Sequence, residues 1–414
     1  MIGAGPIGLA AAARLIERDI QPLVLEAGPA AATAVRAWSH VRLFSPWSEV
    51  VDPAAEKLLA PTGWVRPDGS AYPSGADWAG LYLQPLADVL GEKVRYDTTV
   101  TGVSRAGRDR IVDADRDTQP FVIRYTGPDG AEGRIHARAV IDASGTWSTP
   151  GPAGGSGLPA IGEKAAADRI SYRIPDLKNP AVRARYAGKR TAVIGSGASA
   201  FTALACLADL ATSDGGAGTH ATWILRRGIS GSTFGGGEAD QLPARGALGL
   251  AAKAAVEDGY ADAITGFRTD AVERDGDGRL VLIGEDNRRL AAVDEVVALT
   301  GLRPDLTFLE ELRLGLDERL RGAHRARAAD RPQPALVRHR LPARRGRAVP
   351  PREGPLPRRH EVVRPRPDLP RDDRLRAGPL HRRPPRRRPR GRRTRRAHAP
   401  GDRCLRRRGP LRPA

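Results

Sequence analysis

Apolar and small residues alternate along this chain in one pattern that occurs twice. In the first copy, Gly3-Ala4-Gly5-Pro6-Ile7-Gly8 runs into an alanine-rich stretch at 9–16, and Pro22-Leu23-Val24-Leu25-Glu26 comes next. The first stretch has helical character and the second reads as a short buried strand. In the second copy, residues 191–194 read as a strand, Gly195-Ser196-Gly197-Ala198-Ser199-Ala200 as a turn, 201–207 as a helix and 221–225 as the next strand. Strand, glycine-rich turn, helix and strand make a β-α-β unit. The first copy is short at its start, where the leading strand is reduced to Met1-Ile2, and a start downstream of the natural one is expected.

A single glycine cluster is weak evidence in a chain with 47 glycines, but two in matching contexts predict two dinucleotide sites. Gly3 permits the tight turn, Gly5 lets backbone approach a pyrophosphate, and Gly8 lets helix and strand pack closely, with the helix N-terminus facing the anion. Glu26 lies 18 residues past Gly8, where an acid accepts hydrogen bonds from a ribose diol. The competing readings of 9–16 are an ordinary alanine-rich core helix and a signal peptide, the latter disfavoured because no basic residue precedes the run and Glu17 interrupts it. The second copy ends instead in Arg226-Arg227. A guanidinium fork holds a 2′-phosphate that an acid would repel, so this site is expected to prefer NADPH over NADH. The alternative is that both arginines cap a solvated strand end.

Between the two copies, 93–96 and 98–103 read as short strands, and 121–125 with 133–135 as a hairpin across Gly127-Pro128-Asp129-Gly130. A helix is expected at 80–90 and a buried strand at 139–142, running into Ser144-Gly145. The second copy closes on 295–299 followed by Thr300-Gly301, which repeats that ending. The expected division is a first unit over 1–150, a Gly/Pro-rich connector over 151–185, a second unit over 186–300, a return toward the first at 301–320 and a tail over 321–414. The fold class is α/β with two Rossmann-like dinucleotide-binding domains.

Charge changes the picture only at the tail. The net charge is +19, yet residues 321–414 carry 32 arginines, 7 acids and no lysine, a net +25, which leaves −6 on residues 1–320. That tail contains no Ile, Phe, Tyr, Trp, Met, Ser or Asn and is dominated by Arg and Pro. It cannot bury an apolar core, and disorder is expected. Three origins compete for it: a basic arm that binds polyanions such as nucleic acid, a solvated linker, and a slipped reading frame in a GC-rich gene. The last is favoured because the missing residue types mostly have AT-rich codons. Two cysteines, Cys206 and Cys404, give neither a disulfide framework nor a CxxC pair, which fits a reducing, cytoplasmic setting and speaks against a disulfide reductase with paired thiols. No stretch suits a membrane span, and no metal site is expected.

On these segments the chain resembles the FAD- and NADPH-dependent oxidoreductases related to flavin-containing monooxygenases, over residues 2–320. The resemblance rests on the Gly3–Gly8 turn, Val24-Leu25-Glu26-Ala27-Gly28, Val41-Arg42-Leu43-Phe44-Ser45-Pro46-Trp47, Asp142-Ala143-Ser144-Gly145-Thr146-Trp147, the segment 188–200, and Thr300-Gly301-Leu302-Arg303-Pro304-Asp305. It implies an FAD domain with an inserted NADPH domain. Gly3, Gly5 and Gly8 would then face the FAD pyrophosphate, Glu26 the adenosine ribose, backbone near Val100 the adenine, and Trp38 and Arg42 the flavin side, with Ala4, Pro6, Ile7, Ala27, Ser144 and Gly145 as further cofactor-binding residues. The turn 195–200 with Arg226 and Arg227 would hold NADPH. His40 is expected to be structural. The implied reaction is hydride transfer from NADPH to FAD, with dioxygen and a small organic molecule as further substrates, and no catalytic side chain is named. Two departures stand against oxygenation and against cofactor binding: the FxGxxxH signature between the units is absent, and the segment that would return to the flavin is the arginine-rich tail.

Overall fold

The computed structural model describes residues 1–230 and 233–316. Expectations that fall on 317–414, including the disordered basic tail and its proposed origins, lie outside the described residues.

The helix Pro6–Ile16 begins where proline at its first turn loses no intrahelical bond, with Gly5 in extended conformation as the preceding residue. It buries Gly8, Leu9, Ala12 and Ala13. The chain leaves it through Asp19, whose φ of 56° is left-handed. The two-residue stub ahead of the turn is nevertheless a strand position. Ile2 bridges in parallel to both Leu25 and Asp142, with Ile2 N–H donating to Ile141 O at 3.0 Å and Gly3 N–H to Leu25 O at 2.7 Å. Strand Val24–Leu25 pairs in parallel with Val94–Arg95. Helices Pro53–Leu59 and Gln84–Leu90 cover this narrow sheet, and Leu9, Leu59, Leu83, Leu86 and Tyr82 form its core. Each fully buried leucine contributes about 2 kcal/mol of burial free energy.

Strands Thr99–Arg105, Phe121–Thr126 and Glu132–Ala137 form an antiparallel meander. The last two meet in the expected hairpin, closed by Gly130 N–H to Gly127 O at 3.0 Å. The expected buried strand at 139–142 takes a different form. Ala139 is exposed, Val140, Ile141 and Asp142 are half-buried, and the pairing there is one bridge to Ile2. A two-residue stub can hold no longer ladder.

Five parallel strands form the second sheet, in the order Ile170–Ser171, Glu295–Ala298, Arg190–Ile194, His220–Ile224, Ala261–Ile264. Residues 191–194, Thr191 and three apolar side chains, are all buried, as the interior of a parallel sheet requires. Helix Ala198–Thr212 packs Phe201, Leu204 and Leu207 over it. The antiparallel pair Thr269–Arg274 and Leu280–Gly284 stands beside this sheet. Beyond Thr300 the chain goes back to the first sheet, where Leu309 joins Ile2, Leu25, Val103 and Ile123 in one cluster.

Candidate functional site

The two glycine turns match at their first two positions and differ at the third. Gly3 has φ +95°, and a Cβ there would stand 2.7 Å from Ala143 O; Gly195 has φ +142°, and a Cβ would stand 2.4 Å from Leu299 O. Each turn is thus pressed against the strand end that closes its own unit. Gly5 and Gly197 have open space where a Cβ would lie. At the third position, a Cβ on Gly8 would stand 2.0 Å from Gly3 O, whereas the second turn accommodates Ala200, fully buried. Neither helix has a side-chain cap or an acid in its first turn. Both N-termini therefore present backbone N–H groups and positive dipole to the space in front of the open glycine.

The corners that close the two β-α-β units differ. Glu26 is buried and accepts Ala4 N–H at 2.6 Å and Gly28 N–H at 3.0 Å. A carboxylate has further lone pairs on each oxygen, so its acceptor capacity is not exhausted. Ala27 beside it is exposed, and Thr98 N–H donates to Glu26 O at 2.8 Å, which sets Val100 two residues from this corner. At the corresponding corner of the second unit, Arg226 and Arg227 are exposed and make no ion pair among the described residues. Arg226 Nη1 donates to Gly155 O at 3.3 Å. Ser196 and Ser199 of that turn are exposed, and Trp223 Nε1 donates to Gly195 O at 2.7 Å.

Ser144 and Gly145 lie at the first turn: Ser144 Cα stands 3.2 Å from the Cβ position of Gly3, and Gly145 has φ +77°. Ser144 is held by Asp142, whose Oδ1 accepts its N–H at 3.0 Å and its hydroxyl at 2.7 Å. Trp38 and Arg42 find their partners in the segment 72–78. Trp38 packs on Trp78 at 6.5 Å between ring centroids and against Gly75, and Arg42 Nη1 donates to Tyr72 O at 2.6 Å. His40 Nε2 lies 3.1 Å from Ile174 O of the connector, at the rim of a cavity of about 330 Å³ lined also by Ser39, Asp176 and Arg185.

Sequence reasoning missed the lock on the connector. Glu163 is buried, and its carboxylate accepts Ala153 N–H at 3.0 Å, Ala160 N–H at 2.6 Å and the Tyr172 hydroxyl at 2.6 Å. Burial, then the Glu163 carboxylate, raises the Tyr172 pKa far above that of an ordinary phenol. Thr300 Oγ1 donates to Pro152 O at 2.9 Å and Arg303 Nη2 to Gly157 O at 2.8 Å. An acid followed by a tyrosine nine residues on carries no motif, so nothing in the sequence could have announced it.

Two uncapped glycine turns, each at the carboxyl end of a parallel strand, define an α/β protein built to hold two dinucleotides. The chain belongs to the pyridine nucleotide-disulphide oxidoreductase family, whose model matches residues 1–233. Among solved structures it is similar to bacillithiol disulfide reductase Bdr (YpdA) from Bacillus cereus, with TM-score 0.56 and 21% identity over 77% of this chain and 82% of that one. It is also similar to DfoA from Erwinia amylovora, the cadaverine monooxygenase of desferrioxamine biosynthesis, in a structure bound to FAD. There the TM-score is 0.55 and the identity 17%, over 77% and 82% of the two chains. Ornithine hydroxylase (PvdA) from Pseudomonas aeruginosa gives 0.50 and 16%, over 75% and 83%. No curated protein matches the sequence. The family takes its name from disulphide chemistry, but the only cysteine among the described residues is Cys206, inside a helix and with its thiol pushed up by burial. No helix among the described residues is long and apolar enough to cross a membrane.

Proposed function

We propose that the chain is a flavin-dependent oxidoreductase whose first unit holds FAD and whose second holds NADPH, acting on a small organic substrate with dioxygen as the final oxidant. The single observation that carries this reading is the repeated turn, in which the glycine at the cradle position, Gly5 or Gly197, is open while the one before it, Gly3 or Gly195, is locked by backbone contact. A cradle a Cβ would narrow, facing an uncapped helix N-terminus, suits a pyrophosphate. Bound there, FAD would supply two-electron redox chemistry between NADPH and oxygen.

The chain's own residues would bind and orient. Backbone N–H groups after Gly5 and Gly197 would each receive a pyrophosphate. Glu26, fixed by Ala4 and Gly28, would accept from a ribose diol and reject a phosphate. Arg226 and Arg227 would do the reverse, since their guanidinium groups have no carboxylate partner among the described residues. Ser144 and Gly145 would line the path from the first turn toward the flavin. Trp38 and Arg42, tied to residues 72–78, would support that side from the neighbouring loop. The boundaries expected for the two units, and residues 301–316 returning to the first, fit this division of labour. The fold is shared with a cadaverine monooxygenase and an ornithine hydroxylase as well as with a disulfide reductase, which supports oxidoreductase chemistry; oxygenation is the reading taken from the first two.

The test is to purify the full chain, identify the bound flavin, and follow NADPH oxidation with and without candidate amines. Amine-dependent oxygen uptake with hydroxylated product supports the reading. Tight flavin binding with peroxide as the sole product restricts it to an oxidase, and a chain that takes up no flavin overturns it.

A further inference from the structure

Arg173 sits in the segment between the edge strand Ile170–Ser171 and the helix Pro180–Tyr186. Its guanidinium lies 3.8 Å above the ring centroid of Trp147. Its Nη1 donates to Tyr172 O at 3.2 Å, and its Nη2 to Trp147 O. Both residues are half-buried, and Arg173 makes no ion pair among the described residues. Burial lowers the pKa of this guanidinium. Taking a cation partly out of water without a counter-ion is costly, and two carbonyls and an aromatic face offset only part of that cost.

A stacked arginine alone would not single out this position. Arg105 also lies 3.8 Å over a ring, that of Phe121, and donates to Gln119 O. Arg105 belongs to the meander, whereas Trp147 comes three residues after Ser144, which lies against the first turn. Tyr172, next to Arg173, is fixed by Glu163. The guanidinium is therefore held by a ring and two carbonyls in the connector between the two units, and its Nε–H and remaining Nη–H groups have no acceptor among the described residues.

We propose that Arg173, stacked on Trp147, anchors an oxyanion site at this junction, which takes a carboxylate or a phosphate in bidentate fashion. That group arrives either on the organic substrate or on NADPH. The site is defined by binding alone, so it does not depend on the redox reaction proposed above.

Arginines elsewhere in the chain also attract anions, so the test reads Arg173 itself. The full chain is labelled with phenylglyoxal, and modification of Arg173 is followed by peptide mapping without ligand and with acetate, inorganic phosphate or NADP⁺. Affinity for each probe is compared between the wild type and the Arg173→Gln and Arg173→Lys variants. Protection of Arg173, with affinity weakened at least ~10-fold by Arg173→Gln and partly rescued by Arg173→Lys, supports the site. Protection by NADP⁺ well below the concentration needed with phosphate assigns the dinucleotide as the source; protection by acetate with NADP⁺ affinity unchanged assigns a substrate carboxylate. Equal labelling of Arg173 with and without each of the three probes, or affinity for all three that is equal in wild type and Arg173→Gln, overturns the proposal. Flavin content is measured in parallel, so a loss of FAD binding is told apart from a loss of the anion site.

Discussion

Gly5 and Gly8 are three residues apart in one turn, yet substitution to alanine should have opposite consequences. A Cβ on Gly8 would meet Gly3 O at 2.0 Å, a backbone atom that cannot give way, so Gly8→Ala should cost about 3 kcal/mol or more of stability. A Cβ on Gly5 meets nothing within 4 Å, so Gly5→Ala should leave the thermal midpoint nearly unchanged while weakening flavin binding at least ~10-fold by filling the cradle. Calorimetry and flavin titration on the two variants separate these outcomes. Both glycine roles could be read from spacing. The contacts of Glu26 with Ala4 and Gly28 could not, because they depend on how closely the stub at Ile2 approaches Leu25.

Among the elements, the connector shows where sequence reading stops. Residues 150–162, rich in Gly and Pro, read only as a linker, since neither residue type reports the side chains that tie a loop down. In the structure it is fastened by Glu163, Thr300 and Arg303, all outside that stretch. Glu163→Gln keeps one carbonyl oxygen but turns an amide donor toward a backbone N–H. It should therefore cost about 1–3 kcal/mol, more than Tyr172→Phe, which removes one bond worth about 1 kcal/mol. Denaturant midpoints with unchanged slope would establish that order. The β-α-β units were legible because apolar runs and turn glycines are local signals. The strand expected at 139–142 was misjudged for the opposite reason, since a strand's length depends on the partner available to it.

For the whole molecule, alkaline pH should expose the tyrosines of both units. Burial pushes Tyr82 up to about 12 from its ordinary 10.0, with Asp52 N–H donating to its oxygen, and burial also raises Tyr172 and Tyr186. For a phenol whose folded pKa exceeds the unfolded value, the stabilisation is whole below pH 10 and is lost as pH rises toward 12. Tyr82 alone would account for on the order of 3 kcal/mol. Tyr82→Phe should shift alkaline unfolding to higher pH while losing about 1 kcal/mol at neutral pH, where Asp52 N–H is left without its acceptor. Under the proposed function the same two units meet in one reaction, and that proposal stands or falls on their cooperation. The decisive measurement is anaerobic mixing of the flavin-loaded chain with NADPH or NADH, following the flavin absorbance, in the wild type and in Arg226→Ala. Reduction should be at least ~10-fold more efficient with NADPH, and that preference should collapse in the variant through loss of a charge-assisted contact. Equal reduction by both nucleotides, or no reduction by either, would contradict the assignment of the second unit to NADPH.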